Sequence, residues 1–167
     1  ARQRRALRAE TPLGPGDSVH EVPGWPGRPY ILHVPSGATG PLPVIVAIHG
    51  GGGNAESMSR LTCPDAETSH PSCLNALADR EGFAVVYPNG TGHPLLRKVR
   101  TWNAGGGAEG WQCVSGLACK QGVNDLGYFS ALLDDLERRI AVDRTRVYAT
   151  GISNGAAMSY RLACQMA

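Results

Sequence analysis

Apolar residues in this chain gather in short unbroken runs, and between the runs they recur every three or four positions. Tyr30, Ile31, Leu32 and Val34 mark a first strand at about 28–34. Residues 44–48, Val-Ile-Val-Ala-Ile, are apolar at every position and mostly β-branched, which predicts a central strand covered on both faces. Residues 83–87 repeat that pattern and end at Pro88-Asn89-Gly90, and 146–150 do so again. The intervening segments change period. A helix is predicted from Asn124 or Asp125, either placed to cap it, to Ile140, with Leu126, Phe129, Leu132, Leu133 and Leu136 on one face. Asp134, Asp135, Glu137, Arg138 and Arg139 form its expected wet face. Shorter helices are predicted over 54–61, capped by Asn54, and over 74–81, stopped by Gly82. Strand, helix, strand, helix, strand, turn, helix predicts an α/β fold, a mostly parallel sheet with helices on both faces.

Residues 91–122 break both patterns. A loop this long tends to be functional. It holds Trp102, Asn103 and Trp111, and the two indoles above the end of a parallel sheet would either line a substrate site or plug the loop's own small core. Residues 1–27 read as a flexible tail or linker, rich in Arg, Pro and Gly, leaving 28–167 as the domain.

Composition narrows the function. The chain has 167 residues, 42% hydrophobic and 18% charged, which suits one globular domain with a substantial core. Net charge is +2, while Arg2, Arg4, Arg5 and Arg8 alone carry twice that. The remainder is near neutral, which argues against a nucleic-acid surface. No run of 18 apolar residues occurs, so no membrane span is expected. The first stretch also lacks the apolar core of a signal peptide, so an exported chain is expected to have shed its signal. Cysteines at 63, 73, 113, 119 and 164 include two close pairs, Cys63 with Cys73 and Cys113 with Cys119, in irregular loops. That usage suggests disulfides and an oxidising compartment, although connectivity does not follow from spacing; reduced loop thiols are the alternative, and Cys164 is odd. No zinc-type spacing of Cys and His is present, and no metal is expected.

The chemistry centres on the strand that enters Gly151-Ile152-Ser153-Asn154-Gly155 and the helical pattern that leaves it through Met158, Tyr160, Leu162 and Ala163. Strand, sharp turn and helix around Gly-x-Ser-x-Gly is the setting of a nucleophile elbow. Glycine two places either side of Ser153 avoids collision with strand and helix, and the hydroxyl is left at the tip of the turn. A second glycine cluster, His49-Gly50-Gly51-Gly52-Gly53-Asn54, directly follows the buried strand at 44–48. Such a loop supplies one half of an oxyanion hole in hydrolases of this design. A phosphate loop would need Lys-Ser/Thr after the glycines, where Asn54-Ala55-Glu56 stand. His49 reads as a structural histidine that hydrogen-bonds the loop.

With the strand-borne glycine loop, Trp102-Asn103, the helix start at Val123-Asn124-Asp125 and the elbow all in order, the chain resembles the secreted polyhydroxybutyrate depolymerase-like and feruloyl esterase-like carboxylesterases of the α/β-hydrolase fold. The string from Arg144 to Cys164, with Tyr148-Ala149-Thr150-Gly151 and Ser153-Asn154-Gly155-Ala156, is its narrowest part. The resemblance implies Ser153 as nucleophile and the N–H groups of Asn154 and Gly51 as oxyanion donors. It implies polyhydroxyalkanoate, feruloyl, acetyl or aryl esters as substrates, no cofactor, and a secreted enzyme. In that fold the acid and the histidine follow the nucleophile. Here the histidines (20, 33, 49, 70, 93) all precede Ser153, and no His, Asp or Glu follows it. The expectation is therefore an N-terminal part whose C-terminal partner carries the Asp, the His and the last strands. The alternatives are a binding domain or inactive fragment that keeps the core without the triad, or another acyl enzyme such as a peptidase or acyltransferase.

Overall fold

The computed structural model describes residues 13–93, 95–96, 98–105 and 116–166. In chain order these contain β1 (Gly16–Glu21), β2 (Pro29–Val34), β3 (Leu42–Ile48), α1 (Ala55–Leu61), α2 (Leu74–Glu81) and β4 (Ala84–Pro88). A two-stranded ribbon follows, β5 (Thr91–Gly92) with β6 (Arg100–Thr101), and then α3 (Leu117–Lys120), α4 (Asp125–Arg139), β7 (Val142–Gly151) and α5 (Asn154–Met166).

The main sheet runs β1-β2-β4-β3-β7. β3 lies between β4 and β7 and pairs in parallel with both, Val46 opposite Val86 of β4 and opposite Ala149 of β7. β2 is antiparallel to both β1 and β4. The sheet is thus mixed, with four strands running one way and β2 alone against them. Side chains alternate across a strand, and β3 shows the consequence. Val44, Val46 and Ile48 enter one core with Tyr30, Leu32, Val86, Leu132, Leu136, Met158 and Leu162, under α4 and α5. Ala47 enters the other with Val85, Tyr87, Met58 and Ala78, under α1 and α2. Helices cover both faces, as the unbroken apolar runs required.

Three local expectations change. The tail expected over 1–27 contains β1, and Leu13 already donates its N–H to the Arg139 carbonyl at 3.0 Å. The pairing of β1 is made by backbone, and its one large apolar residue, Val19, faces solvent. Asp135, expected on the wet face of α4, is buried: its carboxylate accepts from the Tyr30 hydroxyl at 2.6 Å and from Arg138 and Arg139 at 2.8 and 2.9 Å. Burial alone would raise its pKa, but these donors hold it below the usual carboxylate range. The strand before the elbow is longer than 146–150, beginning at Val142 with an irregularity against Leu42 and Val44. Elsewhere the caps fall where residue chemistry places them. Asn54 closes a capping box with Ser57, Asn124 accepts from the Gly127 N–H, and Gly82 ends α2 in the left-handed region.

Candidate active site

β7, the outer strand beside β3 among the described residues, runs into the turn and α5 leaves it at once. Ser153 stands between them with φ +53°, a left-handed conformation in which non-glycine residues are strained, and it is exposed. The flanking glycines make that turn possible by size. A Cβ on Gly155 would stand 2.2 Å from the Ile48 carbonyl oxygen and 2.5 Å from that of His49. A Cβ on Gly151 would stand 2.6 Å from the Gly155 carbonyl. The first turn of α5 therefore rests directly on the C-terminal end of β3. Asn154 is the first residue of α5, and helix geometry leaves N–H groups of that first turn without an intrahelical acceptor.

The glycine loop lies against this elbow. A Cβ on Gly50 would be 3.5 Å from the Ser153 Cβ, and one on Gly51 3.6 Å from the Asn154 Cβ. The loop turns through a Gly53 N–H to Gly50 carbonyl bond, with Gly52 at φ +82°, and β6 pins it through bonds between Gly52 or Gly53 and Arg100. His49 holds the loop from beneath. Its Nδ1 donates to the Gly50 carbonyl at 2.7 Å, and its Nε2 accepts from the Gly90 N–H at 3.0 Å. Burial pushes its pKa down to about 4, with Arg100 and Arg28 adding to the depression, so the ring is neutral at pH 7. With both nitrogens engaged by backbone, it has neither a lone pair nor a proton to offer Ser153.

Trp102, expected to line a substrate site or plug its loop, is fully buried. Its indole packs on His49 at 5.0 Å and Phe129 at 5.2 Å between ring centroids, and its Nε1–H donates to the His49 carbonyl. It is a packed support for the site and presents no surface to a substrate. Trp111 and Cys113 lie outside the described residues. The Trp102-Asn103 segment is anchored by Asp125, expected only as a helix cap, and by Arg28. The Asp125 carboxylate, at the start of α4, accepts from the Asn103 N–H and from Arg28, both at 2.6 Å. The Arg28 guanidinium lies 3.7 Å from the Tyr128 ring centroid. The only trace of this group in the sequence is an Asp in the first turn of a helix already capped by Asn124.

The other histidines are engaged elsewhere: His20 with Ser18, His33 with Asp17, and His70 and His93 with backbone N–H groups of their own loops. Cys63 and Cys73 form a disulfide, and Cys119 is also disulfide-bonded. Among the described residues Cys164 is free and exposed, and no cluster of three or more His, Cys, Asp or Glu could hold a metal. No helix described is long and apolar enough to cross a membrane.

The arrangement, an exposed strained serine at a helix start with a glycine-rich backbone loop beside it, is one that can stabilise an oxyanion during acyl transfer. Comparison with known proteins gives the family and the fold. The family model described as Esterase PHB depolymerase matches residues 28–167. The chain is 29% identical over 144 residues to feruloyl esterase C of Emericella nidulans, covering 84% of this chain and 43% of that protein. It is 29% identical over 128 residues to poly(3-hydroxyalkanoate) depolymerase C of Paucimonas lemoignei, covering 76% of this chain and 25% of that protein. In fold it matches an acetyl xylan esterase from Aspergillus awamori with a TM-score of 0.51 at 18% identity, over 80% of this chain and 42% of that one. The chain thus spans between a quarter and a half of the length of these proteins, and its core has the α/β-hydrolase fold.

Proposed function

Since this chain belongs to the esterase PHB depolymerase family, we propose that the complete protein is a serine carboxylesterase with Ser153 as its nucleophile. The observation that carries the reading is the exposed Ser153 at φ +53°, with the glycine loop packed against it. A general base takes the Ser153 hydroxyl proton as the oxygen attacks the ester carbonyl carbon. The N–H groups of Asn154 and Gly51 hold the tetrahedral oxyanion, and each such donor is worth roughly 10²–10³ in rate. The ester C–O bond breaks as the alkoxide takes the proton from the base, leaving an acyl-serine. Water attacks in turn and releases the acid. This sequence uses no metal or organic cofactor.

The base and its orienting carboxylate come from the C-terminal remainder of the domain. β7 is an edge of the sheet among the described residues. Beside it a cavity of about 500 Å³ opens between β7, α4 and α5, lined by Val46, Phe129, Leu133, Val147, Leu162 and Met166. An apolar edge of this kind calls for cover, and further strands would supply it. Polyhydroxyalkanoate, feruloyl and acetyl esters are the substrates that the relatives' names bring forward. The Cys63–Cys73 disulfide favours an extracellular site of action. The test is hydrolysis of a short aryl ester by the complete protein. Ser153→Ala is expected to abolish it with the fold intact, and hydrolysis that survived the substitution would overturn the assignment.

A further inference from the structure

We infer that the Asn154 side chain is a positioning residue, clamping the Trp102 main chain so that the two walls of the oxyanion hole keep a fixed separation. The inference rests on the esterase reading of Ser153 and deepens it. Asn154 Oδ1 accepts from the Trp102 N–H at 2.7 Å, and its Nδ2 donates to the Trp102 carbonyl at 3.1 Å. One carboxamide thus satisfies both polar groups of one backbone residue, 52 positions away in sequence. The same Trp102 donates its indole N–H to the His49 carbonyl at 3.0 Å. His49 immediately precedes the glycine loop, and Asn154 immediately follows the nucleophile. Trp102 therefore ties Gly50 and Gly51 on one side to Ser153 and Asn154 on the other.

The rest of the structure holds this strut still. The Asn103 N–H goes to Asp125 at 2.6 Å, and its Nδ2 to the Val123 carbonyl at 2.8 Å. The indole is fully buried, so it cannot swing away without opening the core. The Asn154 side chain is the joint between this strut and the elbow. Its backbone N–H is the proposed oxyanion donor, and loss of the carboxamide's two bonds would untether the turn that carries that peptide from Trp102. A displacement of about 1 Å in a catalytic group lowers rate roughly 100-fold. Chemistry restricts the position as well. At neutral pH a carboxamide presents a donor and an acceptor side by side, while an ionised carboxylate of the same shape only accepts. The isosteric carboxylate of Asp would set a second acceptor against the Trp102 carbonyl, and that repulsion would push the side chain off Trp102 and weaken the bond from its N–H.

The experiment compares Asn154→Ala and Asn154→Asp with wild type in the complete enzyme, by aryl-ester kinetics and by hydrogen exchange at the Trp102 amide. Both variants are expected to lower kcat about 10- to 100-fold with KM within about twofold, and to speed Trp102 exchange. In Asn154→Asp, lowering the pH protonates the new carboxyl and restores a donor, so Trp102 protection relative to wild type is expected to recover between pH 7 and pH 4. A residue that only filled space would show no such recovery. Trp102 exchange in Asn154→Ala equal to wild type would overturn the inference, as would faster exchange with kcat unchanged. The exchange measurement needs no turnover, so it separates failure of the clamp from failure of the esterase reading, which Ser153→Ala tests alone.

Discussion

Replacing Gly155 by Ala adds one methyl group at the point where α5 meets the sheet. Gly155 is buried, and the new Cβ would stand 2.2 Å from the Ile48 carbonyl oxygen, 2.5 Å from that of His49 and 2.8 Å from the Ile48 carbonyl carbon. A tolerable carbon–oxygen approach is about 3.3 Å, so α5 must retreat by roughly 1 Å. All three obstructing atoms are backbone of β3 and its end, and no side-chain rotation relieves them. The retreat also loosens Met158 and Leu162, which α5 contributes to the core over Val46 and Ile48. Overpacking of this kind costs about 1–3 kcal/mol, and with backbone on every side the upper end applies. Ala is the better helix former by about 1 kcal/mol, leaving a net loss of about 2 kcal/mol.

Gly51→Ala is the control. It too lies at the site, but it is exposed, its φ is not left-handed, and the nearest atom to its new methyl is the Asn154 Cβ at an ordinary 3.6 Å. Its stability is expected to stay within about 0.5 kcal/mol of wild type. Urea unfolding followed by circular dichroism measures both. A Gly155→Ala variant as stable as wild type, or a Gly51→Ala variant that lost more, would refute the argument that close approach of α5 to β3 is what requires glycine at 155.

Stability is expected to respond to pH through two histidines of opposite sign. The folded-state pKa of His49 is depressed to about 4, so its contribution is present above pH 6.5 and is lost as pH falls from there through 4, by an amount on the order of 3 kcal/mol. For His33, burial lowers the pKa, but the carboxylates of Asp17 at 2.6 Å and Asp79 at 3.6 Å outweigh it and the net shift is upward. Its contribution is therefore present below pH 6.5 and is lost as pH rises through the raised value. Urea midpoints against pH in His33→Gln should flatten the alkaline side alone, and an unchanged profile would remove His33 from the account. Replacing Cys63 and Cys73 together by Ser opens a loop with a sequence separation of 10 and should lower stability by roughly 2–3 kcal/mol in the same assay. Equal midpoints for the variant and the oxidised parent would contradict it.

Where the sequence served as a guide, the controlling interactions are local. α2 runs between a loop and Gly82 because left-handed Gly82 stops it, and the α4 stripe of Phe129, Leu132 and Leu136 follows from helical period alone. The elbow was legible because its glycines, strand and helix are contiguous. What escaped depends on partners distant along the chain. β1 pairs through its backbone at a sheet edge and needs no apolar alternation. Asp135 sits among four charged neighbours and looks solvated, yet it lies one turn from Leu132 and faces Tyr30 105 positions away. Trp102 stands out in the sequence within its long loop, but its role turns on His49 and Asn154, which no spacing connects to it. Strand direction is likewise invisible, since residues 28–34 read the same in an antiparallel as in a parallel pairing.

The most direct test of Ser153 as the nucleophile is labelling by a fluorophosphonate probe, read by intact mass and peptide mapping with and without reduction. The complete protein should gain one adduct, mapped to Ser153 and absent from Ser153→Ala. An unlabelled wild type, or an adduct on another residue that persisted in Ser153→Ala, would contradict the account.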